Sequence, residues 1–403
     1  MFASFESLYP LLKVSHHDLS SLCEALWNWR PCSDWEMERA CQQRLKRLEC
    51  PCRRAEILTP FFDFYKDITA YYVPELTGNS VPALKTHGDV IRIIECIKTN
   101  PGTARLQLTK EHFSRYMPPS SRGLPSNDQN RAFGLAVRIL TMLQCSVEDQ
   151  PDGLLESGSQ PAIWRSDQSF NQFINLALPR RNKVSFELQN ENSPSVMLPP
   201  ASITAKRLKR VAKMRMVPTD DLRNHLLLDE KNGTLAVYHY TSVLKEHLKS
   251  SEEPYPSTSS RSSTYKYANI PRQLAMETLN TLKYVLFPAE AESQTILRSL
   301  VARDDFDPDN CRVDTSSWLP LEGEPNSYEY WGARLMRLYD ELENPTPRGV
   351  LESWLERRSG ARYVMLVTLV GVLIAILPGI FSLAVSVFQA WISWQQWQHP
   401  ISE

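Results

Sequence analysis

The longest feature in the hydrophobic pattern lies near the carboxyl end. Residues 363–392 read YVMLVTLVGVLIAILPGIFSLAVSVFQAWI, with no acidic or basic side chain and Gln389 as the only strongly polar one. A helix of about 20 apolar residues crosses the hydrocarbon core of a bilayer. A run apolar on every face over this length does not have the pattern of a core helix with one wet side. Elsewhere apolar positions recur at helical spacing. Residues 60–117 carry Phe61, Phe62, Phe64, Tyr65, Tyr71 and Tyr72, a packing set. Ser126 and Gln129 form a capping-box pair ahead of Phe133, Val137 and Leu140, and that helix runs to Leu143. Pro271 opens a helix whose Ala275, Leu279, Leu282 and Leu286 share a face, and Pro288 stops it. Trp331, Leu335, Leu338 and Leu342 trace another, ended by Pro345 and Pro347. The charged stretch 35–57 predicts a surface helix that ends before Pro51.

Residues 226–229 and 234–240 read as strands joined at Asn232-Gly233. Ahead of them, ITAKRLKRVAKMRM carries Lys206, Arg207, Lys209, Arg210, Lys213 and Arg215 without one acidic residue, over an apolar stripe of Leu208, Val211 and Ala212. Thr219 then caps a second helix with Asp220 and Asp221 in its first turn. Helix, helix and hairpin in that order resemble a winged helix. The predicted fold class is therefore mainly α: a helical body with a small winged-helix-like α+β element and one C-terminal transmembrane helix. The expected divisions are helical regions 1–117 and 118–189, a linker 190–202, the basic element 203–249 and a Ser-rich linker 250–269. A helical region 270–345, a juxtamembrane segment 346–362 continuous with the anchor, the span 363–392 and a tail 393–403 complete them.

Flanking charge predicts the orientation of the span. Arg348, Arg357, Arg358 and Arg362 precede the apolar run and no Lys or Arg follows it, which places the body in the cytosol. Trp391, Trp394 and Trp397 then form an aromatic belt at the far interface. Pro378 and Gly379 permit a kink, and a membrane hairpin turning at Leu377-Pro378-Gly379 is the alternative. Gly371, Ala375 and Gly379, four apart, put small residues on one stripe where a second helix can approach.

With 403 residues, 42% apolar, the chain can fill ordinary cores, and 45 basic against 46 acidic residues leave no global field toward nucleic acid or anionic lipid. The basic helix supplies a local one. Its face suits phosphate groups of lipid or nucleic acid, and a membrane surface or protein partner is preferred because an anchored body is poorly placed to read DNA. Residues 1–20 lack the apolar stretch of a signal peptide, so the eight cysteines read as reduced thiols. Cys32, Cys41, Cys50 and Cys52 match no paired zinc pattern, and the acidic run 304–309 lacks the glycine and glutamate of a calcium loop. No phosphate-cradling glycine loop, nucleophile elbow or dinucleotide fingerprint appears, so no cofactor or catalytic residue is assigned. His225, His239 and His247 lie close in sequence but have no identifiable nucleophile beside them.

Several long strings carry a resemblance: YWGARLMRLYDELENPTPRG, LERRSGARYVMLVTLVGVLIAI and FQAWISWQQWQHP, together with DQNRAFGLAVRIL, TDDLRNHLLLD and YTSVLKEHL. In these the chain resembles an uncharacterised family of C-terminally anchored membrane proteins from filamentous ascomycete fungi. The likeness covers most of the chain after about residue 120 and implies an anchor without implying an activity. Two functions from different classes follow. One is a tail-anchored adaptor or scaffold whose body gathers partners at an internal membrane such as the endoplasmic reticulum. The other is a membrane-anchored enzyme or accessory factor of a metabolic pathway, which requires a concave pocket where titratable groups converge.

Overall fold

The computed structural model describes residues 9–31, 51–74, 81–116, 126–146, 161–180, 203–251, 269–312, 328–346 and 360–398. It divides into two units, Met1–Asn344 and Pro345–Glu403.

The first unit begins with α1, His16–Trp27, entered through a capping box in which Ser15 Oγ accepts from the Asp18 N–H and Asp18 accepts from the Ser15 N–H. Asn28, left-handed at φ 59°, closes it, and Lys98 Nζ donates to the Ala25 and Leu26 carbonyls at 2.6 and 2.9 Å. A cation is well placed on the free carbonyls of a helix end. Helices α2 (Pro51–Ile57) and α3 (Thr59–Ala70) follow; Pro51 opens α2, where its missing N–H costs nothing in a first turn, and the surface helix expected ahead of it lies outside the described residues. Phe61, Phe62, Phe64, Tyr65 and Tyr72 are buried as expected, whereas Tyr71 is exposed. Next come α4 (His87–Thr99), α5 (Arg105–Tyr116) and α6 (Ser126–Thr141), with α4 packed on α1 and α6. Buried Asp128 accepts from Tyr72 Oη and from the Ala83 N–H, each at 2.7 Å, which ties the segment ahead of α4 to α6. Strands β1 (Cys145–Ser146) and β2 (Ala162–Ile163) and helix α7 (Phe170–Ala177) enclose Trp164 among Phe133, Phe170 and Phe173.

The α+β element contains α8 (Ala205–Arg210), β3 (Arg215–Thr219), a 3-10 turn Leu222–Asn224, β4 (Leu227–Asp229) and β5 (Thr234–Tyr238). The hairpin forms where the sequence placed it, but the rest runs helix, strand, 3-10 turn instead of helix, helix. The basic helix stops at Arg210 because the chain turns at Lys213, φ 51°, and the Met214 N–H bonds back to the Leu208 carbonyl. Arg215 then enters an edge strand parallel to β5, in the order β3-β5-β4, where Pro218 is tolerated. The turn after β3 is capped by Asp221, not Thr219.

Helix α9 (Thr241–Ser250) runs through the interior, with every residue from 241 to 248 buried. Beyond it lie α10 (Arg272–Asn280), a π turn Thr281–Leu286, α11 (Ala291–Arg303), a 3-10 turn Pro308–Cys311 and α12 (Gly332–Glu343). The faces expected from Pro271 to Leu286 and from Trp331 to Leu342 are core. The linker residues 190–202 and 252–268 lie outside the described residues, yet segments on either side of the first meet directly. The Leu222 N–H bonds the Met142 carbonyl at 3.0 Å, and Arg54 pairs with Glu246, so both sides share one core.

In the second unit α13 spans Gly360–Gln398, 39 residues with Pro378 inside. The backbone continues through Leu377-Pro378-Gly379 without reversing, so the hairpin alternative is not what forms. One lost N–H donor does not break a helix of this length.

Candidate functional site

Within α13, residues Thr368–Gln395 form a 28-residue apolar stretch whose most apolar 18-residue window has a mean hydropathy of 2.5, with none of that window buried. At 1.5 Å per residue such a stretch measures about 42 Å against a hydrocarbon core of about 30 Å, which a tilt accommodates. Trp391, Trp394 and Trp397 are exposed on its last turns. Gly371, Ala375 and Gly379 fall on one stripe, and a Cβ added at either glycine would meet nothing within 4 Å. Arg357 and Arg358 lie outside the described residues; Arg362 lies in the first turn of the helix.

The basic segment is partly engaged within the body. Lys206 Nζ lies 2.8 Å from Glu290 and 3.0 Å from Glu292 at the start of α11, Arg210 lies 3.1 Å from Glu292, and Arg215 is 3.8 Å from Asp304. Leu208 and Ala212 are buried and Val211 is exposed, which narrows the expected stripe. Lys209 is exposed beside the shallow groove between α8 and α11. Sequence alone missed the acidic counterpart because Glu290 and Glu292 lie some eighty positions downstream.

The three histidines are interior groups, each neutral and bonded. His225 Nδ1 accepts the Tyr238 N–H, and Nε2 lies 2.8 Å from Thr281 Oγ1. His247 Nδ1 accepts from Trp27 Nε1 at 3.2 Å and Asn269 Nδ2 at 3.1 Å, and burial pushes its pKa down to about 3. His239 Nδ1 accepts the Asp307 N–H at 3.0 Å and is pushed down to about 4 by burial. Around it Asp307 accepts from the Ser242 N–H and Oγ at 3.1 and 2.6 Å, and burial raises its carboxyl to about 6. Asp309 accepts from Lys245 Nζ at 2.6 Å and Thr241 Oγ1 at 3.0 Å. Ser, His, Asp and Lys are the residue types of nucleophilic catalysis. Here the Ser242 hydroxyl donates to Asp307 and not to His239, and at 1% exposure no acyl group reaches it. The cluster fastens the 3-10 turn Pro308–Cys311 onto the first turn of α9.

An open cleft of about 270 Å³ lies elsewhere, between the end of α6 and the outer face of the three-stranded sheet. Its floor is one cross-strand row, Val217, Ala236 and Leu227, held in register by the two strand pairings. Its wall is Arg138 with Met142, Leu143 and Gln144, brought round by the left-handed Met142 at φ 55°. Asp220, Asp221 and Asn224 stand at the other side. Burial raises the pKa of Asp221, opposed by hydrogen bonds from the Arg223 and Gln144 N–H groups and by the charges of Arg223 and Arg138. Only the sheet register and the Met142 turn bring Arg138 to the two aspartates. Their adjacency in sequence reads as an ordinary helix start.

No protein-family model, curated protein or solved structure matches the chain.

Proposed function

We propose that this is a single-pass membrane protein of the tail-anchored kind, whose helical body stays on the cytosolic face of an internal membrane such as the endoplasmic reticulum. There it acts as an adaptor or scaffold for protein partners. The observation that carries the reading is the exposed 28-residue apolar stretch Thr368–Gln395. The arginines before it and the tryptophans at its far end support the orientation, and the stripe of Gly371, Ala375 and Gly379 supports pairing of anchors in the membrane.

Extraction and glycosylation test the proposal. The protein should stay in the pellet after a carbonate wash and should insert into microsomes added after synthesis is complete. Asn232 reports the side of the body, since Asn232-Gly233-Thr234 is an acceptor sequon on an exposed turn. It should remain bare, while a sequon appended after Glu403 should be modified. A modified Asn232 would reverse the orientation, and release by carbonate would remove the anchor altogether. The second reading, an anchored enzyme or accessory factor, is favoured by one observation, the cleft where Arg138, Asp220 and Asp221 converge.

A further inference from the structure

The cleft beneath α6 contains charged groups that the body itself leaves unsatisfied. Asp221 is 5% exposed; its Oδ1 accepts the Arg223 N–H at 2.9 Å, the Arg223 charge and the Gln144 N–H also favour its ionised form, and its Oδ2 is buried without a hydrogen-bond partner. A buried carboxylate oxygen of this kind calls for a donor. Among the described residues the Arg138 guanidinium forms no hydrogen bond and no ion pair; it stands 5.7 Å above the Phe64 ring. Asp220, exposed at the rim, likewise has neither among the described residues. Opposite charges therefore line one small cavity without closing on each other, above an apolar floor that dips at Ala236.

We propose that this cleft binds a small zwitterion of the free α-amino acid class, its ammonium on Asp221 and Asp220, its carboxylate on Arg138, and its apolar side chain on the Val217–Ala236–Leu227 row. A lone cation would meet the Arg138 charge, and a lone anion would meet two carboxylates; a molecule carrying both ends answers each group. The volume of about 270 Å³ falls just below the roughly 300–1,000 Å³ of pockets for drug-sized molecules, which suits an amino acid with a branched or unbranched aliphatic side chain. Burial raises the pKa of Asp221, so an ammonium in contact with it would restore what desolvation withdraws from its charged form.

The inference concerns the body alone and is read out separately from membrane insertion. Calorimetric titration of the full chain in detergent micelles would use leucine, methionine and valine, with 3-methylbutylamine and 4-methylpentanoate as the single-ended analogues of leucine. At least one amino acid is expected to bind saturably at one site, and both single-ended analogues at least tenfold more weakly. Asp221→Asn, which keeps the acceptor for the Arg223 N–H, and Arg138→Gln should each weaken amino-acid binding at least tenfold. Ala236→Leu, which fills the floor and leaves every charge in place, should abolish it. Far-UV circular dichroism and the thermal midpoint verify that each variant is folded. Three results overturn the proposal: no binding of any of the three amino acids to the folded protein, binding of the amine as tight as that of leucine, or undiminished binding by a folded Asp221→Asn or Ala236→Leu variant.

Discussion

Lys245 and Asp309 form a buried ion pair that joins α9 to the turn before residue 312, and removing one member is the sharpest test of how the body is held together. The side chains are 11% and 4% exposed, and Nζ lies 2.6 Å from Oδ2. Lys245→Met keeps the aliphatic stem and removes the ammonium, leaving the carboxylate with the Thr241 hydroxyl and no neutralising charge. Loss of one partner of a buried pair costs about 3–5 kcal/mol, and Asp309→Leu alone should cost a similar amount. The double variant removes both charges together and costs the Thr241 hydroxyl its acceptor, so it should lose less than either single variant, about 1–2 kcal/mol. The coupling energy is then several kcal/mol. Urea unfolding of the full chain in detergent, followed by the fluorescence of buried Trp27, Trp164 and Trp331, measures all three midpoints. If the double variant is destabilised by the sum of the two single losses, to within about 0.5 kcal/mol, the two groups do not interact and the account of the fastener is wrong.

Acidification should weaken the body through its buried histidines. The folded-state pKa values of His225, His239 and His247 are depressed by burial below the ordinary 6.5, so the unfolded chain takes up protons first and stability falls as pH drops from about 6.5 toward 4. Each proton contributes about 1.4 kcal/mol per pH unit. Asp307, raised to about 6, has the opposite sign: the native state binds its proton first between about pH 6 and 4, which offsets one histidine. His247→Gln keeps an acceptor for Trp27 and Asn269 and should flatten the stability slope between pH 5.5 and 4.5 by about 1.4 kcal/mol per unit; an unchanged slope would show that His247 is charged in the native state. Glu277→Ala should cost about 2–4 kcal/mol, because one carboxylate accepts the N–H groups of residues 329, 330 and 331 at 2.9, 2.9 and 3.3 Å. Amide exchange at Tyr330 and Trp331 should accelerate with it, and unchanged protection there would refute the role of Glu277.

The long apolar helix and the body helices α6, α10 and α12 are legible without coordinates. Hydropathy adds up over a contiguous run, and the recurrence of Leu335, Leu338 and Leu342 needs no partner outside its own helix to be seen. Turn chemistry is local too, which is why the hairpin at Asn232-Gly233 sits where expected. The end of the basic helix was not legible, because strand pairing of residues 215–219 with β5 overrides helical propensity at Lys213 and beyond. The charges of α9 belong to the same class of problem. Nothing in the sequence marks Lys245, Glu246 and His247 as interior groups, yet Asp309, Arg54, Trp27 and Asn269 meet them inside the core. The cleft joins Arg138 on α6 to Asp221 beyond β3, more than eighty residues on. What the sequence determined by itself is what depends on neighbours along the chain: the long apolar run, the helical periods and the hairpin turn. Tertiary structure decided which charges are buried, which are answered and where a cavity remains, because burial and electrostatic contact depend on distances that only the packed chain defines.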